Sequence, residues 1–199
     1  MIWSRAANRP RTEETHPTSS RERELLARVG AKDLAAFEAL YRTYQPRLVR
    51  FLGTVLQRTQ LVEEVLDDTM MTVWQSAANF RGASKASTWI FAIAYRKALK
   101  ARVKWPDPVE DGEFDTRVDP DDLPDEQLHQ QRLHNALLHA MQQLSVEHRA
   151  VVDLTYFHGL GYREIAEIVG CPAETVKTRV FHARQRLRKA MSGNFGDWL

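Results

Sequence analysis

The stretch from Leu144 to Met191 constrains this chain most, because it reads as two short amphipathic segments meeting at one turn. Its centre runs Tyr162-Arg163-Glu164-Ile165-Ala166-Glu167-Ile168-Val169-Gly170-Cys171-Pro172-Ala173-Glu174-Thr175-Val176. Ile165, Ala166, Ile168 and Val169 give the first segment an apolar face, and the small Ala166 admits a closely crossing neighbour. Gly170 can take the left-handed backbone that ends a helix, and Pro172 suits the first turn of the next one. Val176, Val180, Ala183 and Leu187 then recur at three- and four-residue steps, so that stripe is predicted to be buried. The opposite side carries Glu174, Thr175, Lys177, Thr178, Arg179, His182 and Arg186, a set able to reach base edges and phosphates in a DNA major groove. A charge run alone is more often a solvated helix face. Here the turn and the apolar stripe determine which side is free, and that favours DNA contact. Repressors, response regulators and recombinases all use a helix-turn-helix, so the rest of the chain must say which class this is.

The formal charge of +2 over 199 residues hides a segregated distribution. From Arg81 to Lys104 every charged residue is basic: Arg81, Lys85, Arg96, Lys97, Lys100, Arg102 and Lys104. From Asp107 to Glu126 the charges are carboxylates, with Arg117 as the lone exception. That second stretch also holds Pro106, Pro108, Pro120 and Pro124 and shows no apolar periodicity. Residues 105–126 are therefore predicted to be a flexible acidic linker joining two small helical domains, 24–104 and 127–199. The acidity suits solubility; alternatively it shields the basic surfaces from non-specific DNA. Residues 1–23 are predicted to be a disordered leader, since the polar start lacks the apolar core of a signal peptide. No apolar run is long enough to span a bilayer, so no membrane insertion is expected. The one cysteine, Cys171, allows no internal disulfide and fits a reducing cytoplasm.

The expected fold class is all-α, with no competing strand pattern. Asp33 is a plausible N-cap for a helix in which Leu34, Phe37, Leu40, Tyr41, Tyr44, Leu48, Phe51, Leu52 and Val55 keep helical spacing, with Pro46 as a candidate kink. A second helix from about Leu61 to Ala78 buries Val62, Val65, Leu66, Val73 and Ala77 and presents Glu63, Glu64, Asp67 and Asp68. Met70, Met71 and Trp74 fit either its core side or a protein-docking face. A third helix from about Ser87 through Lys104 joins Trp89, Phe91, Ile93 and Tyr95 to the basic series. Rings interleaved with cations suit single-stranded or distorted DNA, because rings stack on bases while cations hold phosphate. The other reading makes Trp89 and Ile93 core and leaves base contact to the loop from Asn79 to Ser87. His129, His134 and His139 lie five residues apart, which turns successive side chains away from one helix face. Neither they nor the adjacent acidic pairs form a metal-binding or catalytic constellation, so no cofactor and no enzyme activity are expected.

In this order the residues resemble the extracytoplasmic-function (ECF) sigma factors, the compact group of the sigma-70 family of bacterial transcription initiation factors. Asp33, Ala36-Phe37 and Leu40-Tyr41 through Tyr44 look like the start of sigma region 2. Val62-Glu63-Glu64-Val65-Leu66-Asp67-Asp68-Thr69 with Val73-Trp74 is similar to the family's polymerase-binding helix, and Ser87-Thr88-Trp89-Ile90-Phe91-Ala92-Ile93-Ala94 to its promoter-melting helix. Leu144-Ser145 through Tyr156, Gly159-Leu160-Gly161-Tyr162, Glu164-Ile165-Ala166 and Thr175-Val176-Lys177-Thr178-Arg179 resemble region 4. The family often has arginine and asparagine where this chain has Tyr95 and Arg96, and arginine where it has His182. The resemblance implies a region 2 bundle of three or four helices and a region 4 helix-turn-helix. It implies that Asp67, Asp68, Met71, Trp74 and Gln75 bind core RNA polymerase at the beta-prime coiled coil, with the beta flap as a second contact. Arg81, Lys85, Trp89, Arg96, Lys97 and Lys100 would open and read the −10 promoter element. Glu174, Thr175, Lys177, Thr178, Arg179, His182 and Arg186 would read the −35 element as duplex. An anti-sigma factor would hold the protein inactive. The alternative from a different class is a stand-alone helix-turn-helix regulator, which would bind its operator without polymerase.

Overall fold

The computed structural model describes residues 17–105 and 136–195, which form helices and turns with no strand among them. The first helix, α1 (Pro17–Gly30), begins inside the segment expected to be a disordered leader. The correction has a plain cause: Leu26 and Val29 are fully buried, and Glu22, 7% exposed, meets Arg47 at 3.7 Å. Proline at the first helical position loses no hydrogen bond that the helix would otherwise make. The expectations for residues 1–16, for the linker beyond Trp105, and for His129 and His134 lie outside the described residues.

Helix α2 (Leu34–Leu56) starts where the cap was expected. Asp33 Oδ1 accepts from the Ala36 amide at 3.1 Å and Arg28 donates to Oδ2 at 2.7 Å. The amide first and the guanidinium second hold the Asp33 carboxyl below its usual range. The helix continues through Pro46. After α3 (Thr59–Ser76) comes one 3-10 turn, Ala77–Asn79. Gly30 closes α1 against that turn, where a β-carbon would lie 3.0 Å from the Ala78 α-carbon, so backbone approaches backbone. Helix α4 (Ala86–Lys104) ends the first group of helices.

The second group opens with helical residues 136–142, α5. Ser145 caps α6 (Val146–Tyr156), its hydroxyl accepting from the His148 amide at 3.5 Å. Helix α7 (Tyr162–Val169) stops at Gly170, which has φ 70°, and α8 (Ala173–Phe195) follows. Pro172 sits just before α8, its carbonyl accepting from the Thr175 amide at 2.9 Å.

The two groups are not separate bodies. α6 packs on α2 and α7 packs on α4. One buried cluster runs from Leu40, Leu48, Phe51 and Phe91 of the first group into Leu154, Ile165, Val176 and Val180 of the second. A smaller cluster of Ala140, Leu144, Val152, Ala183 and Leu187 belongs to the second group by itself.

Candidate nucleic-acid interface

Helix α8 divides as its periodicity predicts. Val176, Val180, Ala183 and Leu187 are at most 5% exposed, while Glu174, Lys177, Thr178, His182 and Arg186 lie on the exposed side. Thr178 donates its hydroxyl to the Glu174 carbonyl at 2.9 Å, and Lys177 Nζ stands 3.9 Å from the Glu174 carboxylate. Thr175 and Arg179 are half-buried rather than free. Arg179 Nη1 lies 3.8 Å from Cys171 Sγ, at the foot of the turn. Phe181, 56% exposed with its ring 5.5 Å from that of His182, shares the open side. The sequence reading passed over Phe181 because a phenylalanine counts there as prospective core; its place one step after the buried Val180 was the available signal.

Helix α4 behaves differently. Phe91, Ile93 and Tyr95 are at most 6% exposed, so of the two readings the display of rings among cations fails for these three, and the core reading holds for Ile93. Trp89 alone of the four stays half-exposed, its ring 5.3 Å from Phe80. Arg81, Arg96 and Lys100 are exposed. Lys97 Nζ reaches Asp68 Oδ2 at 3.5 Å, and Lys85 Nζ reaches Glu164 Oε1 of α7 at 2.9 Å. Burial first, and the Glu147 charge second, push the Tyr95 hydroxyl above its usual range, with Arg179 pulling the other way. α4 packs on α7, the first helix of the helix-turn-helix.

Residues 40–104 match the sigma-70 region 2 family and residues 134–187 match sigma-70 region 4. The ECF RNA polymerase sigma factor RpoE of Cereibacter sphaeroides is 34% identical over 81% of this chain and 89% of its own length. The chain belongs to the ECF sigma factors of the sigma-70 family. The RNA polymerase sigma-H factor of Pseudomonas aeruginosa is 29% identical over 87% of this chain and 95% of its own. Two solved structures share the fold. CnrH, determined in complex with the cytosolic domain of CnrY, has a TM-score of 0.64 at 20% identity, covering 87% of this chain and 98% of CnrH. RpoE of Bartonella quintana, in complex with the anti-sigma factor NepR, has a TM-score of 0.58 at 23% identity, covering 78% of this chain and 96% of that one.

In this sigma factor α3 passes from core to exposed surface in a single step of the helix. Met70 is 1% exposed and Met71 is 54% exposed. Asp67, Asp68, Met71, Trp74 and Gln75 follow one another at helical spacing on the outer side, with Trp74 half-buried. Phe37 packs edge-on against Trp74 at 5.1 Å, Lys32 Nζ stands 5.0 Å over the indole, and the same ammonium donates to the Trp74 carbonyl at 2.8 Å. The indole is thus held in place and stays half-exposed. Tyr41 donates to Asp67 Oδ1 at 3.4 Å. The cysteine of the turn, Cys171, is half-buried, and His139 pairs with Gln143 Nε2 at 3.3 Å. No described helix is long and apolar enough to cross a membrane.

Two residues escaped the sequence reading altogether. The Asp153 side chain is 1% exposed and lies 3.0 Å from His158 Nε2, itself 4% exposed. Across from them, Thr54 and Arg50 of α2 stand at 3.3 Å and 3.7 Å from Asp153 Oδ1. An aspartate in the middle of an apolar helical run was the available sign, since a buried carboxylate requires partners.

Proposed function

We propose that this sigma factor acts in the cytoplasm by docking its α3 stripe on the beta-prime coiled coil of core RNA polymerase, with the beta flap as a second contact, and by delivering two DNA-reading helices to one promoter. Asp67, Asp68 and Gln75 supply the polar rim of the docking face, and Met71 and Trp74 its apolar centre, the arrangement of a protein interface. Arg81, Lys85, Trp89, Arg96, Lys97 and Lys100 serve the −10 element, with Trp89 as the ring able to stack on an unpaired base. Glu174, Thr175, Lys177, Thr178, Arg179, His182 and Arg186 serve the −35 duplex, where α8 enters the major groove. The protein has no chemistry of its own; it gives the polymerase its start sites. Residues 24–104 and 127–199 are the two working units and 105–126 the tether between them.

The observation that carries this reading is the exposed Asp67-to-Gln75 stripe beside the cation-bearing helix and not within it, so one domain can hold protein and DNA together. Control by an anti-sigma factor is part of the proposal, supported by the company of the Bartonella quintana relative. A reconstituted run-off assay tests it: core polymerase plus this chain should yield discrete transcripts from genomic promoter fragments, and core alone should not. Sequence-specific duplex binding that is indifferent to polymerase, with no transcript, would point to the stand-alone regulator.

A further inference from the structure

We infer that His148, His182 and Arg186 form a cradle for one backbone phosphate of duplex DNA, and that seating the phosphate takes up a proton, so promoter affinity rises as pH falls. The cradle lies between the first turn of α6 and one edge of α8. The inference deepens the assignment of α8 to the −35 duplex and rests on it.

Helical spacing brings the groups together. At about 100° per residue, Arg179, His182 and Arg186 fall within roughly 60° of one another on α8, beside its buried stripe. α6 packs on α8, and the α8 charges acting on His148 are Arg186, Arg179 and His182. His148 is half-buried, whereas His182 and Arg186 are exposed. Ser145, the cap of α6, accepts from the His148 amide and stands 2.7 Å from the ring Nδ1. One ring nitrogen is thus engaged within α6, and Nε2 is the one left to meet a ligand. Arg179, half-buried beside Cys171, adds positive field from below rather than a contact.

The charges there are unbalanced. The acid acting on His148 is Glu147 of its own turn, so two arginines and two imidazoles converge on one carboxylate. Of the other helices packed on α6, α2 gives Arg50 to Asp153 and α7 gives Glu164 to Lys85. In the free chain burial first, then Arg186 and Arg179, hold the His148 titration below its usual value. A phosphate set among these groups neutralises the arginines and accepts from the imidazolium, so the bound state holds the proton more tightly than the free one. The direction follows: whichever state binds the proton more tightly gains as pH falls, and here that state is the complex. His182 adds to the effect, because a charged imidazole donates from both nitrogens and a neutral one from a single nitrogen. Arginine in its place would stay charged throughout and would lose the linkage.

Equilibrium binding of the holoenzyme to a duplex promoter fragment tests this, at fixed ionic strength because phosphate contacts are salt-dependent. The reference is a holoenzyme carrying both His148→Gln and His182→Arg, which shares every pH response of the polymerase itself. Relative to it, wild-type affinity should rise about fivefold from about pH 7.5 to about pH 6. His182→Arg alone, a change on the exposed side of α8, should remove the larger part of that rise, and His148→Gln alone the remainder. Arg186→Ala should weaken binding and flatten its salt dependence by about one counterion unit. Calorimetry in two buffers of different ionisation heat should register more proton uptake with wild type than with the double variant. Equal pH responses in wild type and double variant, equal proton uptake, or an unchanged salt slope in Arg186→Ala would each overturn the cradle. A fragment scrambled in its −35 half separates the two readings. Wild-type affinity indifferent to scrambling would sink the −35 assignment, and the cradle with it; sensitivity to scrambling without the pH difference sinks only the cradle.

Discussion

Helices α4 and α8 both carry cations on their surface, by opposite designs. α8 has one narrow apolar stripe, so most of the side opposite it is exposed, and that exposed side follows from periodicity. α4 is apolar on nearly every side from Ala86 to Tyr95, and a helix of that kind is buried all round. It packs against α1, α2 and α3 on its own side and against α7 of the other region. The contrast teaches that a basic series in the sequence does not say how much of the helix that bears it is buried. On α8 the exposed side runs along the helix; on α4 the exposed cations Arg96 and Lys100 follow the buried run from Ala86 to Tyr95.

The largest effect that would test this contrast is on stability. Phe91 is fully buried, its ring 5.3 Å from Phe51 and 4.7 Å from His158. Phe91→Ala should cost about 3–5 kcal/mol in urea denaturation and loosen both regions, because its cluster spans them. Leu187→Ala, in the smaller cluster, should cost about 2–4 kcal/mol and leave hydrogen exchange in region 2 unchanged. Equal, confined effects from the two would break the idea of a shared core.

Next in size is docking. Met71→Glu should weaken binding to core polymerase by about 2 kcal/mol, roughly thirtyfold, in a competition assay, with region 4 binding to duplex unaltered. Unchanged polymerase affinity would remove the α3 stripe from the interface. Smaller still is the electrostatic comparison on α8 itself. Lys177→Ala should flatten the salt dependence of −35 duplex binding by about one counterion unit. Arg179→Ala should flatten it less, because its guanidinium is half-buried beside Cys171. A full unit from Arg179→Ala would mean that this side chain swings out to phosphate once DNA arrives.

The smallest concerns His148, whose titration lies below 6.5 because burial first, then Arg186 and Arg179, disfavour its charged form. The folded state therefore binds its proton more weakly than the unfolded chain. The sign follows: stability is highest above 6.5 and falls as pH drops below that value. His148→Gln should reduce the loss in urea midpoint between about pH 7.5 and about pH 5.5. A loss of the same size in both proteins would assign the acid sensitivity elsewhere.

Much of the fold was legible from spacing. The Asp33 cap, the buried sides of α2 and α3, the Gly170 turn and the α8 stripe all follow from local rules that a linear pattern records. The start of α1 was missed because polar Arg-Glu residues outnumber Leu26 and Val29, and two apolar anchors are a weak periodic signal. The rings of α4 stay between two readings in the sequence because cations beside aromatics look alike whether the aromatics face base or core.

By itself the sequence determined what depends on neighbours along the chain: helix against turn, the helix-turn-helix, the order of the two sigma regions, and hence the family. Tertiary structure decided everything that depends on which faces meet. It separated Met70 from Met71, turned Arg179 toward Cys171, and joined Asp153 to Thr54 and Arg50. The physical reason is that Asp153 and Thr54 are 99 residues apart, and a carboxylate in a helical sequence carries no mark of the residue that will pair with it. Periodicity reports that a face is buried; only packing reports against what.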